Sequence, residues 1–230
     1  MSKRNSLKET PVLFQINQCE YENCRFRFPT THNDPAGERC PKCGRMAVTV
    51  TPPFSPHTIP RYERSDHSLS ITLLLDNIRS ALNVGSIFRS AEACRVEKII
   101  LGGISPSPDE KSFQKTALHA QETMPWDSVN NAVDCVRELK QAGYLICSLE
   151  GGERSQPVHS LFNFPSIQPI LMIVGNEVSG VDPDLLELSD LVFHLPMYGE
   201  KQSFNVAVAA GIALYIWSFY HYSPPREEQI

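Results

Sequence analysis

Ile170-Leu171-Met172-Ile173-Val174-Gly175-Asn176-Glu177-Val178-Ser179-Gly180-Val181 is the stretch whose reading decides the fold. Its first five residues are apolar, of strand length and bounded by glycine, which predicts a β-strand. A glutamate between two glycines comes next. Such a tight loop suits a ligand lying against backbone, although alone it reads equally as an ordinary turn with a solvated glutamate. Outward from this point, β-rich runs at 69–75, 98–101, 144–149 and 191–195 alternate with helical stretches at about 84–95, 128–142, 183–189 and 204–220. That alternation predicts an α/β fold with a mostly parallel sheet covered on both faces. Ligands of such sheets bind beyond the C-terminal ends of the strands, so the chemistry is sought in the loop after each strand.

The run 69–75 leads into Asp76-Asn77-Ile78-Arg79 and then Asn83-Val84-Gly85-Ser86-Ile87-Phe88-Arg89. Val84, Ile87, Phe88 and Ala91 form an i, i+3, i+4, i+7 stripe, which predicts an amphipathic helix with Asn83 as N-cap. Arg89 lies off the stripe, and Gly85 would admit a backbone or a phosphate near the helix start. A capped helix with a solvent arginine explains the same residues. The run 191–195 leads into Pro196-Met197-Tyr198-Gly199 and Lys201-Gln202-Ser203-Phe204-Asn205-Val206. Ser203 is the expected N-cap of the last helix, which leaves Asn205 without a role. Phe204 to Tyr220 holds 17 residues, 14 apolar and none charged. That is just short of a membrane span and predicts a helix buried in a core or a subunit interface.

Cys19, Cys24, Cys40 and Cys43 fall within 25 residues. Two cysteine pairs at this separation predict a four-cysteine zinc ribbon, since each knuckle points two thiolates at one centre. A segment this small needs such a staple. His32 lies mid-loop and reads as solvated, and Cys94, Cys135 and Cys147 read as core thiols. Between the knuckles, Arg25-Phe26-Arg27-Phe28 on a strand would put both arginines on one face and both phenylalanines on the other. Arg25, Arg27, Arg39, Lys42 and Arg45 read either as a nucleic-acid face or as solvated cations, and the rings are expected to pack the ribbon. Pro52, Pro53, Pro56 and Pro60 mark a linker. The expected division is a zinc-ribbon head at 1–50, a proline-rich linker at 51–68 and a body at 69–230.

Hydrophobic residues are 41% and charged residues 20% of the 230, which excludes a disordered chain. The net charge of −5 excludes a general polyanion binder, but it is uneven: +3 over residues 1–68 and −8 beyond. Four thiolates on Zn²⁺ would trim the head to about +1. The N-terminus has no apolar run like that of a signal peptide, and a soluble cytoplasmic protein is expected.

Asn83, Gly85 and Arg89 spell N-x-G-x-x-x-R, Gly175, Glu177 and Gly180 spell G-x-E-x-x-G, and Pro196 to Val206 spell P-M-x-G-x-x-x-S-F-N-V. In this order and spacing they resemble the three motifs of the SpoU-type (TrmH-family) RNA ribose 2′-O-methyltransferases of the SPOUT superfamily, over about residues 69–222. Phe204 stands where the family has Leu, and His119 where many relatives have Gly. The ribbon is not part of the common core. The resemblance implies a C-terminal trefoil knot that binds S-adenosylmethionine, and a homodimer with the last helix at its interface. It also implies methyl transfer to a ribose 2′-OH of tRNA or rRNA. Arg89 matches the catalytic residue. A guanidinium is a poor base, so its expected work is to grip an RNA phosphate and stabilise the developing alkoxide. Asn83 would orient Arg89 or the ribose, and Glu177 would fix the loops or help place substrate. Ser203 and Asn205 would hold their loop and contact RNA or cofactor. The cofactor slot would draw on Gly175, Glu177, Gly180, Leu195, Met197, Ser203, Phe204 and Asn205. Two other readings stand beside this one: an RNA-binding protein with a degenerate body, and a base methyltransferase of the same superfamily. The intact motif residues argue against the first, and S-F-N-V favours ribose over base.

Overall fold

The computed structural model describes residues 12–56, 70–109, 113, 120–159, 168–200 and 203–220. They belong to two units, Met1–Glu63 and Arg64–Ile230. Most of the linker, His119, Lys201 and Gln202 lie outside the described residues.

The first unit is a three-stranded antiparallel sheet, β1 (Phe14–Cys19), β2 (Arg27–Thr31) and β3 (Ala47–Thr49), in the order β2-β1-β3. The alternation of β1 turns Gln15, Asn17 and Cys19 inward. Asn17 joins all three strands: its amide donates to Thr30 Oγ1 at 2.8 Å, and its carbonyl accepts from Thr49 Oγ1 at 2.9 Å. The strand expected through Arg25 to Phe28 begins only at Arg27. Arg25 is left-handed (φ 43°), because the chain curls through Cys24 N–H and Arg25 N–H to Tyr21 O. The two arginines therefore do not share a strand face. Phe28 is buried, whereas Phe26 is 38% exposed and stacks on it at 6.2 Å.

The second unit contains β4 (Ile71–Asp76), α1 (Ala81–Ala93), β5 (Lys98–Gly102), α2 (Ala120–Thr123), β6 (Trp126–Val129) and α3 (Ala132–Gln141). Then come β7 (Leu145–Leu149), β8 (Gln156–Pro157), β9 (Ile170–Val174), α4 (Pro183–Leu188), β10 (Leu191–His194) and α5 (Val206–Tyr220). The seven strands form one sheet in the order β6-β5-β4-β9-β7-β10-β8, every pairing parallel. The central strands β4 and β9 are buried at every residue, as a sheet covered on both faces requires. Leu73 and Leu75 face α1 and α5, whose Val84, Phe88, Ala213 and Leu214 complete that core. Leu74 and Ile173 face α3 and α4 through Val136 and Leu185. Trp217 of α5 stacks on Phe193 of β10 at 4.8 Å.

Three local expectations are corrected. Residues 128–129 belong to the edge strand β6, and the helix expected from 128 starts at Ala132. Asn131 caps it by accepting from Val133 N–H and Asp134 N–H. α1 starts at Ala81 with Ser80, not Asn83, as its cap. α5 starts at Val206, and the capping side chain is Asn205, which accepts from Ala207 N–H at 2.9 Å and Val208 N–H at 3.3 Å, not Ser203. For α1 and α5, two cap-competent residues lie close together, and contacts made far along the chain choose between them. Among the described residues, no helix is long and apolar enough to cross a membrane.

Candidate functional site

The loops leaving β4, β7, β9 and β10 meet at the C-terminal edge of the sheet. Glu177 is their junction. Its carboxylate accepts from Arg79 N–H at 2.8 Å, Ser80 N–H at 3.1 Å and the Asn83 amide at 2.9 Å. Asn83 Oδ1 in turn accepts from the Asn205 amide at 3.2 Å. One chain of hydrogen bonds thus ties the starts of α1 and α5 to the loop after β9, across sequence separations of 94 and 122 residues. A carboxylate at the first turn of α1 also complements the positive end of that helix.

The loop after β9 is folded on itself. Asn176 Oδ1 accepts from Val178 N–H and Ser179 N–H, its amide donates to Asn77 O, and Asn176 and Gly180 exchange backbone bonds. Both glycines are needed for this. A Cβ on Gly175 would overlap Val181 N and the Gly180 carbonyl carbon, and Gly180 has φ +75° with the Glu150 carboxylate directly over it. Beneath the loop is an open cleft of about 940 Å³, within the range of small-molecule sites. Gly175, Glu177, Gly180, Leu195, Met197, Ser203, Phe204 and Asn205 all line it. Met197 and Phe204 are 37% and 42% exposed. Arg89, by contrast, points to solvent from α1, does not line this cleft, and makes no hydrogen bond or ion pair among the described residues.

Two carboxylates were not singled out by the sequence patterns. Glu150, directly after β7, accepts from Val181 N–H and Gly151 N–H, both at 2.9 Å. Asp76, the last residue of β4, is buried and accepts from Asp182 N–H at 2.9 Å and from the Asn77 amide. Burial pushes its carboxyl above the ordinary range against those two bonds. Both stand at a strand end on the edge where ligands bind, and that position was the available signal.

Desolvation alone would raise the Glu177 carboxyl, but the bonds from Arg79, Asn83 and Ser80 outweigh it and hold it below the ordinary value. A depressed folded-state value stabilises above the unfolded one, near 4.3, and the contribution is lost as pH falls through the folded one. Glu177→Gln should therefore remove part of the acid-induced loosening of the 175–181 loop. Glu177→Ala should cost about 0.5–1.5 kcal/mol, because two exposed backbone N–H groups exchange the carboxylate for water. Amide exchange at Arg79 and Ser80 against pH checks both; unchanged protection in either variant would contradict them.

In the first unit the four Sγ atoms of Cys19, Cys24, Cys40 and Cys43 lie within 4.8 Å of one another, with Cys19–Cys43 at 3.5 Å and Cys24–Cys40 at 3.8 Å. A tetrahedron with Zn–S arms of about 2.3 Å has edges of about 3.8 Å, so the donor set fits zinc. Desolvation would raise the Cys40 thiol, but Cys43 N–H, Lys42 N–H and the neighbouring thiols bring it down to about 7. Cys19 and Cys24 differ, and both thiols are raised. At Cys19 burial, with the neighbouring thiols, outweighs a single bond from Tyr21 N–H. At Cys24 a single bond from Phe26 N–H is outweighed by burial together with the Cys43 and Cys40 thiols. His32 bonds Gln15 at 3.0 Å instead of joining the cluster. Arg25, Arg27, Arg39, Lys42 and Arg45 are all exposed. Arg45 lies over the Tyr21 ring at 3.4 Å and Lys42 over Phe26 at 5.9 Å.

A wholly parallel sheet whose strand-end loops are hydrogen-bonded together over a cleft defines an open-sheet α/β protein with its site at the C-terminal strand ends. Residues 70–215 match the SpoU rRNA Methylase family, and the chain belongs to that family. The chain is 32% identical over 145 residues, 62% of its length, to the 23S rRNA (guanosine(2553)-2′-O)-methyltransferase RlmP of Bacillus subtilis. It is 31% identical over 63% of its length to the 23S rRNA (guanosine-2′-O-)-methyltransferase RlmB of Neisseria meningitidis. Each match spans 56% of the relative. The TrmH/SpoU tRNA modifying enzyme of A. aeolicus aligns with a TM-score of 0.59 and 26% identity, over 68% of this chain and 76% of that one.

Proposed function

We propose that the protein transfers a methyl group from S-adenosylmethionine to a ribose 2′-OH of tRNA or rRNA. The observation that carries this reading is the Glu177–Asn83–Asn205 junction, which joins the three motifs over a cleft large enough for a nucleoside cofactor. The two Gly-enforced turns and the apolar Leu195, Met197 and Phe204 suit a ligand held against backbone. Bound there, S-adenosylmethionine would supply a methyl group already activated by its sulfonium. Glu177 holds the α1 N-terminus and the loop after β9 in one arrangement, and Asn205 and Asn83 extend that hold to α5. Ser203 and Asn205 sit at the mouth of the cleft, where RNA enters. Arg89, projecting outward, grips the phosphate beside the target ribose and stabilises the developing alkoxide. A phosphate oxygen or water then accepts the 2′-OH proton. The segment from β9 through α5 is taken to form the family's trefoil knot. Nucleoside mass spectrometry of tRNA and rRNA from cells with and without the gene tests the reading: loss of one 2′-O-methylated nucleoside supports it. A lost base methylation would favour the base-methylating alternative, and an unchanged profile the degenerate one.

Residues 1–50, 51–68 and 69–230 are proposed as zinc-binding head, linker and methyltransferase domain, acting in the cytoplasm, where a four-thiolate site stays reduced. The five exposed cations of the head would contact RNA, since the body carries −8. Deleting residues 1–68 should raise KM for RNA and flatten the salt dependence by about 0.7 per lost contact on single strands. S-adenosylmethionine binding should stay as it was. Equal RNA affinity and slope in the truncated chain would count against RNA contact by the head.

The homodimer is proposed through α5, where Val208, Ile212 and Tyr215 form an exposed apolar stripe. Ile212→Asp with Tyr215→Asp should convert a dimer into a monomer in light scattering. A doubly substituted chain that stays dimeric would place the interface elsewhere.

A further inference from the structure

We infer that Glu150 is a charge-selecting residue of the cleft, which favours the cationic methyl donor over the neutral thioether left after transfer. The inference rests on the proposed cofactor reading and deepens it. The described residues lining the cleft include two carboxylates, Glu150 and Glu177, and no lysine or arginine. The imidazole of His194 lines it as well, with Nδ1 directed to Ser155 Oγ at 2.8 Å.

The two carboxylates are not equivalent. Glu177 is committed to three donors at the start of α1, so its charge is spent on that helix end. Glu150 accepts one backbone N–H on each oxygen and has no ion-pair partner among the described residues. Its position is fixed from three sides. Its own N–H donates to Phe193 O at 2.9 Å, its carboxylate is anchored on Val181 N–H, and Gly180 leaves room for it by having no side chain. It thus stands between the loop after β9 and the end of β10, among the residues that line the cleft. Each oxygen keeps a lone pair, and the carboxylate keeps a net charge that a cation in the cleft would feel.

Methyl transfer changes that cation. The C–S bond breaks with its electron pair left on sulfur, the methyl carbon bonds the 2′ oxygen, and the hydroxyl proton leaves to a phosphate oxygen or water. The sulfur ends neutral. A fixed negative charge lining the cleft attracts the ligand before this step by more than it attracts the ligand after it. Glu150 would therefore bias the cleft toward the loaded donor and weaken its hold on the product.

Titration calorimetry of the full-length protein with S-adenosylmethionine and with S-adenosylhomocysteine tests this. Glu150→Gln keeps a carbonyl oxygen for Val181 N–H and removes the charge. It should weaken S-adenosylmethionine by roughly tenfold and S-adenosylhomocysteine by less than about twofold. Glu150→Asp, which keeps the charge, should stay near the wild-type ratio. If Glu150→Gln fails to fold, Glu150→Ala is read against the same two ligands. Equal loss for both ligands would make Glu150 merely structural and overturn the inference, as would an unchanged ratio. If the unsubstituted protein binds neither ligand, the cofactor reading itself falls, and this inference with it.

Discussion

Arg89→Ala is expected to lower single-turnover 2′-O-methylation by at least about a hundredfold, the scale of removing one charge-stabilising donor from a transition state. The fold and S-adenosylmethionine affinity should be nearly untouched. The expectation comes from where the side chain sits. Val84, Ile87, Phe88 and Ala91 carry the packing of α1, while Arg89 is exposed and away from the cleft. Removing it opens no cavity and strips no buried partner, so stability should change by about 0.5 kcal/mol or less. A residue that contacts neither the core nor the cofactor cleft, yet governs the rate, must act on the RNA side of the reaction. Arg89→Lys would then recover only part of the rate, because an ammonium lacks the planar fork that grips a phosphate. Collapse of cofactor affinity in Arg89→Ala with surviving turnover of bound substrate would reverse the assignment.

Cys40→Ser combined with Cys43→Ser is expected to abolish zinc binding and unfold residues 12–56 while leaving 70–220 folded. The inward positions of β1 are Gln15, Asn17 and Cys19, so the head has little apolar surface to bury. Its other long-range ties include strand pairing, the Asn17 bonds, the Gln15–His32 contact and the Ile16 N–H bond to Thr51 Oγ1, which a short sheet cannot sustain alone. Structural zinc contributes on the order of 10–16 kcal/mol at neutral pH in comparably small domains, far more than those ties. Elemental analysis should give one zinc per chain in the wild type and none in the double variant. Amide exchange should show lost protection confined to β1, β2 and β3. Retained zinc, or a head still protected without it, would refute the assignment.

How far the sequence could be read depended on how local each interaction is. The strands around 71–76, 98–102, 145–149, 170–174 and 191–194 were legible because each is a short apolar run bounded by turn residues. β6 and β8 were not. Both are short and lie at the edges of the sheet, half exposed, so neither a continuous apolar run nor an alternation marks them. The cysteine cluster was legible because the spacing within each knuckle is itself the geometry. Arg25 and Arg27 do not share the face that a strand period assigns them, because the knuckle bends the chain between Tyr21 and Arg25.

The sequence by itself determined the α/β class, the parallel sheet, the metal-type cysteine set and two of the loops that line the cleft, those after β9 and β10. These rest on side-chain periodicity and on chemistry carried within a few neighbouring residues. The tertiary structure alone decided which cap-competent residue caps each helix. It showed that Glu177 is the junction of the loops, and that Glu150 and Asp76 anchor backbone contributed by other segments. Ser80 caps α1 because Glu177, 94 residues beyond Asn83, claims the Asn83 side chain. Asn205 caps α5 with its carbonyl while its amide reaches Asn83, 122 residues away. Local propensity ranks these residues almost equally at a cap. The choice rests on a hydrogen-bond partner that is adjacent only after the sheet has brought β4, β9 and β10 together.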